Sequence, residues 1–281
     1  MRKVLSIVLF LVMATVSQQA LAVTVTANAN ADQLVAALLG SAVTVVPGSA
    51  VYTGAAGASG TFTDGGNIGI GSGVLLTSGG ATIAQGPNNV GNATLVNAMA
   101  GYAPLNALIP GYSTLDASIL AFSFTTSTNN LYFNYVFGSE EYNEYVGSIF
   151  NDVFAFFLDG TLVTNNIATL PDGTVVAINT INNGSNSAYY RDNTGGAINT
   201  QYDGLTTVLQ ASALGLSAGP HTIVLAIADS GDYALDSGVF LQGFGGTPVD
   251  PNTPIPEPGT MMLLGSGLAG LASYGRKRFR K

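Results

Sequence analysis

The chain of 281 residues contains no cysteine, and Asp, Glu, Lys and Arg together make up only 9% of it. Without cysteine, disulfides, lipidated cysteine anchors, thiolate metal sites and thiol catalysis are excluded. Basic residues are nearly absent from the body, because seven of the eight lie at the two ends and only Arg191 lies between them. Residues 23–250 carry fifteen Asp and Glu against that one Arg, a net charge of −14 with histidine neutral. Such a body repels nucleic acid and attracts cations, so we expect no nucleic-acid partner.

Histidine is also scarce, and His221 is the only one in the chain. A Ser-His-Asp triad would depend on that side chain. His221 follows a Gly-Pro pair at the start of a predicted strand, and we interpret it as a turn or strand-edge residue. We therefore expect no enzyme built on Cys or His.

The first 22 residues have the layout of a secretory signal peptide. Arg2 and Lys3 form a basic start, an apolar run follows over 4–14, and small residues lead to a cleavage site after Ala22. An uncleaved membrane anchor is the alternative, although the apolar run is short for a membrane span. We expect signal peptidase to process the chain and the body to be exported.

The C-terminal end, 256–281, has three parts. The triplet Pro256, Glu257 and Pro258 is followed by an apolar stretch over 260–274 and then by a basic cluster. As a helix this stretch is about 22 Å long, shorter than a hydrocarbon core of about 30 Å, but basic side chains can reach the headgroups from its end. The positive-inside rule then leaves the cluster in the cytoplasm and the body on the outer side. The cluster begins with Arg276, Lys277 and Arg278.

This three-part tail resembles the PEP-CTERM sorting signal. The resemblance implies that an exosortase recognises and removes the tail in the inner membrane of a Gram-negative bacterium. Transient anchoring would then be followed by release to the cell surface or extracellular matrix. A plain C-terminal anchor is the alternative. Ahead of the tail, five prolines within 245–259 predict a stiff, extended spacer, which we assign to 246–259.

Between the two ends, the 36 glycines and the many Thr, Val, Tyr and Phe residues favour short strands joined by tight turns. Apolar residues alternate in several short runs, as in half-buried strands. We predict a single antiparallel β-sandwich, jelly-roll or lectin-like, over 23–245, with one or two short peripheral helices. The main predicted strands are 117–126, 130–137, 151–158, 174–180 and 221–230, and the predicted helices are 31–40 and part of 93–102.

Acidic residues without basic neighbours cluster in two segments of this body, 137–160 and 228–238. Clustered carboxylates repel each other unless a cation neutralises them, and Ca²⁺ accepts irregularly spaced carboxylate and amide oxygens from loops. The alternatives are solvated loop acids or an acidic catalytic pair, such as Glu141 with Asp152 or Asp236. The predicted calcium ligands are Glu140, Glu141, Asn151, Asp152, Asp116 and Asp236, with Asp229 and Asp232 as further acids of the same cluster.

The body resembles the choice-of-anchor L domain family. The resemblance lies in YVFGSEEYNEYVGSIFNDVFAFFLDG, in NIGIGSGVLLTSG upstream, and in YDGLTTVL and HTIVLAIADSGDYALDSGVFL downstream. It implies a secreted surface module whose members end in different anchoring signals, with no established catalytic residue or ligand.

Together these features predict a non-enzymatic surface or matrix protein that acts in adhesion or in biofilm and exopolysaccharide assembly. Its expected partners are polysaccharide or other surface proteins, besides the processing enzymes. A secreted carbohydrate-active enzyme using acidic residues is the alternative. Tyrosines that could stack on sugars, or simply pack in the core, are Tyr132, Tyr142, Tyr145, Tyr189, Tyr190 and Tyr202.

Overall fold

The structure, a computed structural model, describes residues 22–248. The predicted signal peptide up to residue 21, nearly all of the predicted spacer, the predicted membrane segment 260–274 and the sorting-signal residues lie outside the described residues. Within 22–248, no helix is both long and apolar enough to cross a membrane.

The described chain is mostly β-structure, with thirteen strands and two short helices. The helices are α1 (Ala31–Leu38) and α2 (Ala103–Asn106). The strands are β1 (Thr24–Ala27), β2 (Val43–Val45), β3 (Val51–Thr53), β4 (Ser59–Thr63), β5 (Gly73–Thr77), β6 (Thr114–Thr126), β7 (Asn130–Ser139), β8 (Val153–Leu158), β9 (Tyr190–Asp192), β10 (Gly204–Thr206), β11 (Leu209–Leu214), β12 (His221–Ser230) and β13 (Ser237–Gly245).

These strands form two antiparallel sheets. The first has the order β1-β4-β5-β13-β7-β10-β9, with β11 also paired to β7. The second has the order β2-β6-β12-β8, with β3 also paired to β6. The two sheets pack face to face, so the predicted β-sandwich is confirmed.

The core between the sheets is aromatic, because alternate residues of β6, β7 and β8 point inward. Phe133 and Tyr135 of β7 contact Phe156 of β8, with ring centroids 4.8 Å and 5.1 Å apart. Phe244 of β13 meets Phe124 of β6 edge to face at 5.0 Å. Such pairs add roughly 0.5–1.5 kcal/mol to the gain from burying the rings.

The outer faces of both sheets are also covered by other segments. Buried and exposed side chains therefore do not simply alternate along the strands of either sheet. On the first sheet, Val136 and Phe240 pack under loop residues such as Ile68 and Ile70. On the second, alanines and Phe157 pack under the segment that contains α2 and its buried Leu105. This explains why β8 is buried on both faces, with Val153 to Phe157 all at 0% exposure.

The structure corrects two of the predicted elements. Residues 93–102 are irregular instead of helical, and α2 begins only at Ala103. The segment 174–180 forms no strand and makes only isolated bridges, including Val153 with Ala177. Helix α1 and the strands predicted at 117–126, 130–137, 151–158 and 221–230 are present.

Candidate functional site at one end of the sandwich

Six strand ends meet at one end of the sandwich. The last residue of β7, Ser139, pairs with the first residue of β13, Ser237. Similarly, the end of β12 pairs with the starts of β6 and β8, and the end of β5 pairs with β13. Because the acidic residues lie at or just beyond these strand ends, the fold gathers them in one place, although they are far apart in sequence.

All six predicted ligands are buried there, with exposed fractions of 0–5%. Asp229 is also buried, at 1%, whereas Asp232 is partly exposed. The alternative that the six are solvated loop acids is therefore wrong. Each must instead find a partner inside the protein or become protonated.

Backbone N–H groups of a single loop segment are the partners of three of them, Glu140, Asp116 and Asp236. The irregular segment 87–99, which we call the strap, crosses this end of the sandwich. Glu140 accepts from the Ala93 N–H at 3.2 Å, and Asp116 accepts from Asn97 at 2.9 Å and also from Met99. These bonds explain why the strap is not helical, since several of its N–H groups point to carboxylates and not to carbonyls four residues earlier.

Asp236 holds the middle of the strap. Its carboxylate accepts from the Leu95 N–H at 3.0 Å, the Thr94 hydroxyl at 3.2 Å and the Gly80 N–H at 3.1 Å. Gly79 leaves the room for this carboxylate, because a Cβ at that position would lie 1.7 Å from Asp236 Oδ2. Asp236 is thus a structural residue that ties β13 to two loops.

Asn151 and Asp152 also have protein partners. Asn151 Oδ1 accepts from the Asn179 N–H at 2.8 Å. Asp152 accepts from the Ser230 N–H at 2.8 Å and from the Ser237 hydroxyl at 2.6 Å. These two residues fix the start of β8 against the loop that covers it and against the β12–β13 connection.

Three buried carboxylates keep oxygens without hydrogen-bond partners. Neither oxygen of Asp229 accepts a bond of ordinary geometry, although the nearby Ser78 hydroxyl lowers its pKa somewhat. Glu141 Oε2 is likewise unpaired, and the residue is 1% exposed. Glu140 satisfies one oxygen through the strap and leaves Oε1 unpaired. Burying a carboxylate oxygen without a hydrogen-bond donor costs free energy of folding. These three residues are therefore the candidates for a role other than holding the fold together.

The environment raises the pKa of these groups. Burial, reinforced by the carboxylates of Asp152 and Asp232, raises the pKa of Glu141 to about 10. Burial and then Asp203 raise the pKa of Glu140 to about 8. Burial also raises the pKa of Asp152 to about 7, although the bonds from its serine partners oppose the rise.

Two more acids follow the same pattern. Burial and then Asp152 hold the pKa of Asp229 well above its ordinary value. Burial raises the pKa of Asp236 to about 6 against the lowering effect of its backbone donors. Without an added cation, several of these acids are therefore protonated at neutral pH.

A cavity of about 240 Å³, which we call the end cavity, opens beside the strap. Polar groups on its wall come from the strap, from the β7–β8 loop and from the β12–β13 loop. Tyr145, which is 38% exposed, and Phe150 form an aromatic side, with ring centroids 5.3 Å apart. The polar wall residues are Asn92, Thr94, Glu141 and Asp232.

Of the six predicted ligands, only Glu141 lines the end cavity. Adjacent Glu140 and Glu141 point to different partners, one to the strap and one to the cavity. No group of three or more Asp, Glu or His side chains among residues 22–248 is arranged to hold a metal ion. Calcium binding stays a prediction.

Sequence reasoning finds Asp232 through the acidic cluster to which it belongs, but it does not find the strap residues of the cavity. Asn92 ends a polar loop rich in Asn and Gly, and Thr94 lies within the segment 93–102 that is predicted to be helical, so neither is singled out as a site residue. Of the tyrosines considered above, Tyr142 and Tyr202 are fully buried core residues, while Tyr145 reaches the end cavity.

His221 lies elsewhere, at the start of β12. Its Nδ1 is 2.7 Å from Asp159 Oδ2, and its Nε2 is 3.0 Å from the backbone oxygen of Ser217. These two acceptors raise its pKa, the Ser217 carbonyl more than Asp159. Ser217 has the Gly-x-Ser-x-Gly spacing (215–219), but the segment joins two strands and presents its carbonyl to the histidine. The arrangement fixes a strand edge and does not form a nucleophile elbow.

Arg191, the one Arg among the described residues, does not neutralise the acids. It donates to the backbone oxygens of Thr206 at 2.9 Å and Ile68 at 2.6 Å. Among residues 22–248, the His221–Asp159 contact is the only ion pair. The acidic end of the sandwich has no basic side chain as a partner in this part of the chain.

Comparison with known proteins gives two family matches. The PEP-CTERM protein-sorting motif matches residues 254–278 and identifies an exported surface protein of a Gram-negative bacterium that is processed by an exosortase. No curated protein and no solved structure gave a match. The model of the choice-of-anchor L domain matches residues 22–245, which is most of the chain. The chain therefore belongs to the choice-of-anchor L domain family.

Proposed function

We propose that this domain is a non-catalytic binding module that attaches the exported protein to polysaccharide or to other surface components during adhesion and matrix assembly. The observation that carries the proposal is the end cavity, where an exposed aromatic side chain lies beside several polar oxygens and amides. Aromatic rings offer apolar faces to sugar rings, and convergent polar groups fix the orientation of a ligand.

The position of the cavity supports the proposal. Its walls are loops at the strand ends of a rigid sandwich, which is where binding residues commonly occur. Its volume of about 240 Å³ is slightly below the roughly 300–1,000 Å³ of pockets for drug-sized ligands, so it fits one small unit of a longer polymer.

Binding of the purified protein to the exopolysaccharide of the producing bacterium tests this role. Replacing Tyr145 by Ala removes the exposed aromatic face and should weaken retention on immobilised polysaccharide at least tenfold. Leu162→Ala is the matched control, because Leu162 is 71% exposed and follows β8 at the opposite end of the sandwich. Equal retention of the Tyr145→Ala variant and the wild type would contradict the assignment of the cavity.

The alternative of a carbohydrate-active enzyme needs two carboxylates that reach the substrate. Asp152 and Asp236 are 0% exposed and hydrogen-bonded, so they are poor partners for Glu141 in that role. The accessible pair is Glu141 with Asp232. Release of new reducing ends from the polysaccharide, lost in a folded Asp232→Asn variant, would favour the enzyme over the binding module.

We also propose that the tail holds the chain in the inner membrane until it is cleaved. The order of the sorting triplet, the apolar stretch and the basic cluster supports this step. Replacing Pro256 and Glu257 by Ala should leave a longer, membrane-bound form, visible by immunoblot of membrane and surface fractions. Normal cleavage of that variant would refute a role for the triplet.

A further inference from the structure

We propose that the end cavity is a calcium site in which the carboxylates of Glu141 and Asp232 and the side-chain oxygen of Asn92 bind the ion. Water completes the six to eight oxygen ligands that Ca²⁺ takes. The inference goes beyond the binding role proposed above, because the site forms whether or not the domain binds a polysaccharide.

The unpaired oxygen of Glu141 is the first argument. Glu141 is 1% exposed and lines the cavity, yet its Oε2 has no hydrogen-bond donor. Two other buried acids of this end, Asp236 and Asp152, receive donors from the fold, and the unpaired Asp229 does not line the cavity. A carboxylate left without a donor beside an open cavity is suited to a ligand from outside the chain.

The charge around the cavity is the second argument. Asp232 shares the cavity wall with Glu141, and the buried carboxylate of Asp152 lies close to both. Within the described residues, Arg191 and His221 are engaged elsewhere. With no basic side chain available, either protonation or a cation from solution compensates this charge.

The donor chemistry selects the type of ion. The polar wall offers carboxylate, carboxamide and hydroxyl oxygens, and neither sulfur nor imidazole. Such donors suit hard cations, and loop-borne ligands of variable geometry suit Ca²⁺ better than Mg²⁺, which demands a near-ideal octahedron. With two carboxylates instead of three or more, we expect an affinity of the weak extracellular class, with Kd on the order of 10⁻⁴ to 10⁻³ M.

The test is calorimetric titration of the exported protein, purified in detergent with its tail in place and freed of metal with EGTA. At about pH 8, where ligand carboxyl groups lose protons more readily, CaCl₂ should give saturable one-site binding and a higher melting temperature, and MgCl₂ a weaker response. Glu141→Gln and Asp232→Asn should each weaken Ca²⁺ binding at least tenfold. Asp172→Asn, at a fully exposed loop acid outside the cavity, should leave it unchanged.

Two results would overturn the proposal. One is a wild type that shows neither heat nor a melting shift at millimolar Ca²⁺. The other is normal binding by a folded Asp232→Asn variant, which would place the ion elsewhere. Asp232 is partly exposed on a loop, so its variant carries the test even if Glu141→Gln fails to fold. Because no polysaccharide is present, failure here leaves the proposed binding role standing.

Discussion

Asp236 offers a direct test of the idea that buried carboxylates hold the strap. Asp236→Ala removes the acceptor for three donors, those of Gly80, Thr94 and Leu95. Gly80 is buried, so its unsatisfied N–H costs about 1–3 kcal/mol, while the two donors on the exposed strap can turn to water and lose about 0.5–1.5 kcal/mol each. At acid pH, where Asp236 is neutral, we expect a loss of about 3 kcal/mol in the free energy of unfolding.

Asp236→Asn gives the matched comparison, since it keeps the shape and one acceptor oxygen. At about pH 4.5 this variant should lose only about 1 kcal/mol, the value of one hydrogen bond. The order of stability of this variant and the wild type should reverse as the pH rises. Burial raises the pKa of Asp236 from 3.8 to about 6. The contribution of this group to the stability of the wild type is therefore fully present below pH 3.8 and is lost as the pH rises through about 6. The difference between these two pKa values corresponds to about 3 kcal/mol in the free energy of unfolding. The wild type loses this amount as the pH rises, and the Asn variant does not.

The assay is urea unfolding in EGTA, followed by circular dichroism, at pH values on either side of 6. Limited proteolysis within residues 87–99 reports the strap directly, and the Ala variant should be cut faster than the wild type. Two outcomes would refute the reasoning. Either the stabilities of the Asn variant and the wild type change in parallel with pH, or the Ala variant matches the wild type in both stability and cleavage.

Three further predictions concern other parts of the fold. Gly138→Ala would place a Cβ 2.7 Å from the buried ring of Tyr202, so we expect a loss of about 1–3 kcal/mol in urea unfolding; Gly57→Ala, with nothing within 4 Å, should cost far less. His221 has a raised pKa, so its stabilising contribution is complete below about 6.5 and is lost as the pH rises through the raised value. His221→Gln should therefore reduce the decline in unfolding midpoint between about pH 6 and 9, and an unchanged decline would contradict this assignment. Asn30→Ala removes the side-chain cap of α1 and should cost about 1 kcal/mol, whereas equal stability would show that the cap is dispensable.

Local patterns predict most of the sandwich. The alternation of apolar and small residues in 117–126 gives β6, with Leu120 and Phe124 fully buried. The segment 221–230 matches β12 in full. These predictions succeed because alternate side chains of a strand point to opposite faces of the sheet. Burial of one face therefore produces an apolar residue at every second position of the sequence.

The strap shows where such reasoning fails. Residues 93–102 contain good helix formers, yet they form no helix because carboxylates distant in sequence accept several of their N–H groups. The Leu95–Asp236 bond joins residues 141 positions apart. A contact of that kind leaves no local periodicity, so no window along the chain can show it.

The sequence by itself determined that the protein is rich in strands, that it carries a sorting motif near its C-terminal end, and that its acids lack basic partners in the body. Only the tertiary structure decided what each acid does. Asp236 and Asp116 bind the strap, Asp152 ties β8 to the β12–β13 connection, and Glu141 is left with a free oxygen at the end cavity. The physical reason is that the sandwich brings distant strand ends together, and the donors each carboxylate meets there depend on that topology.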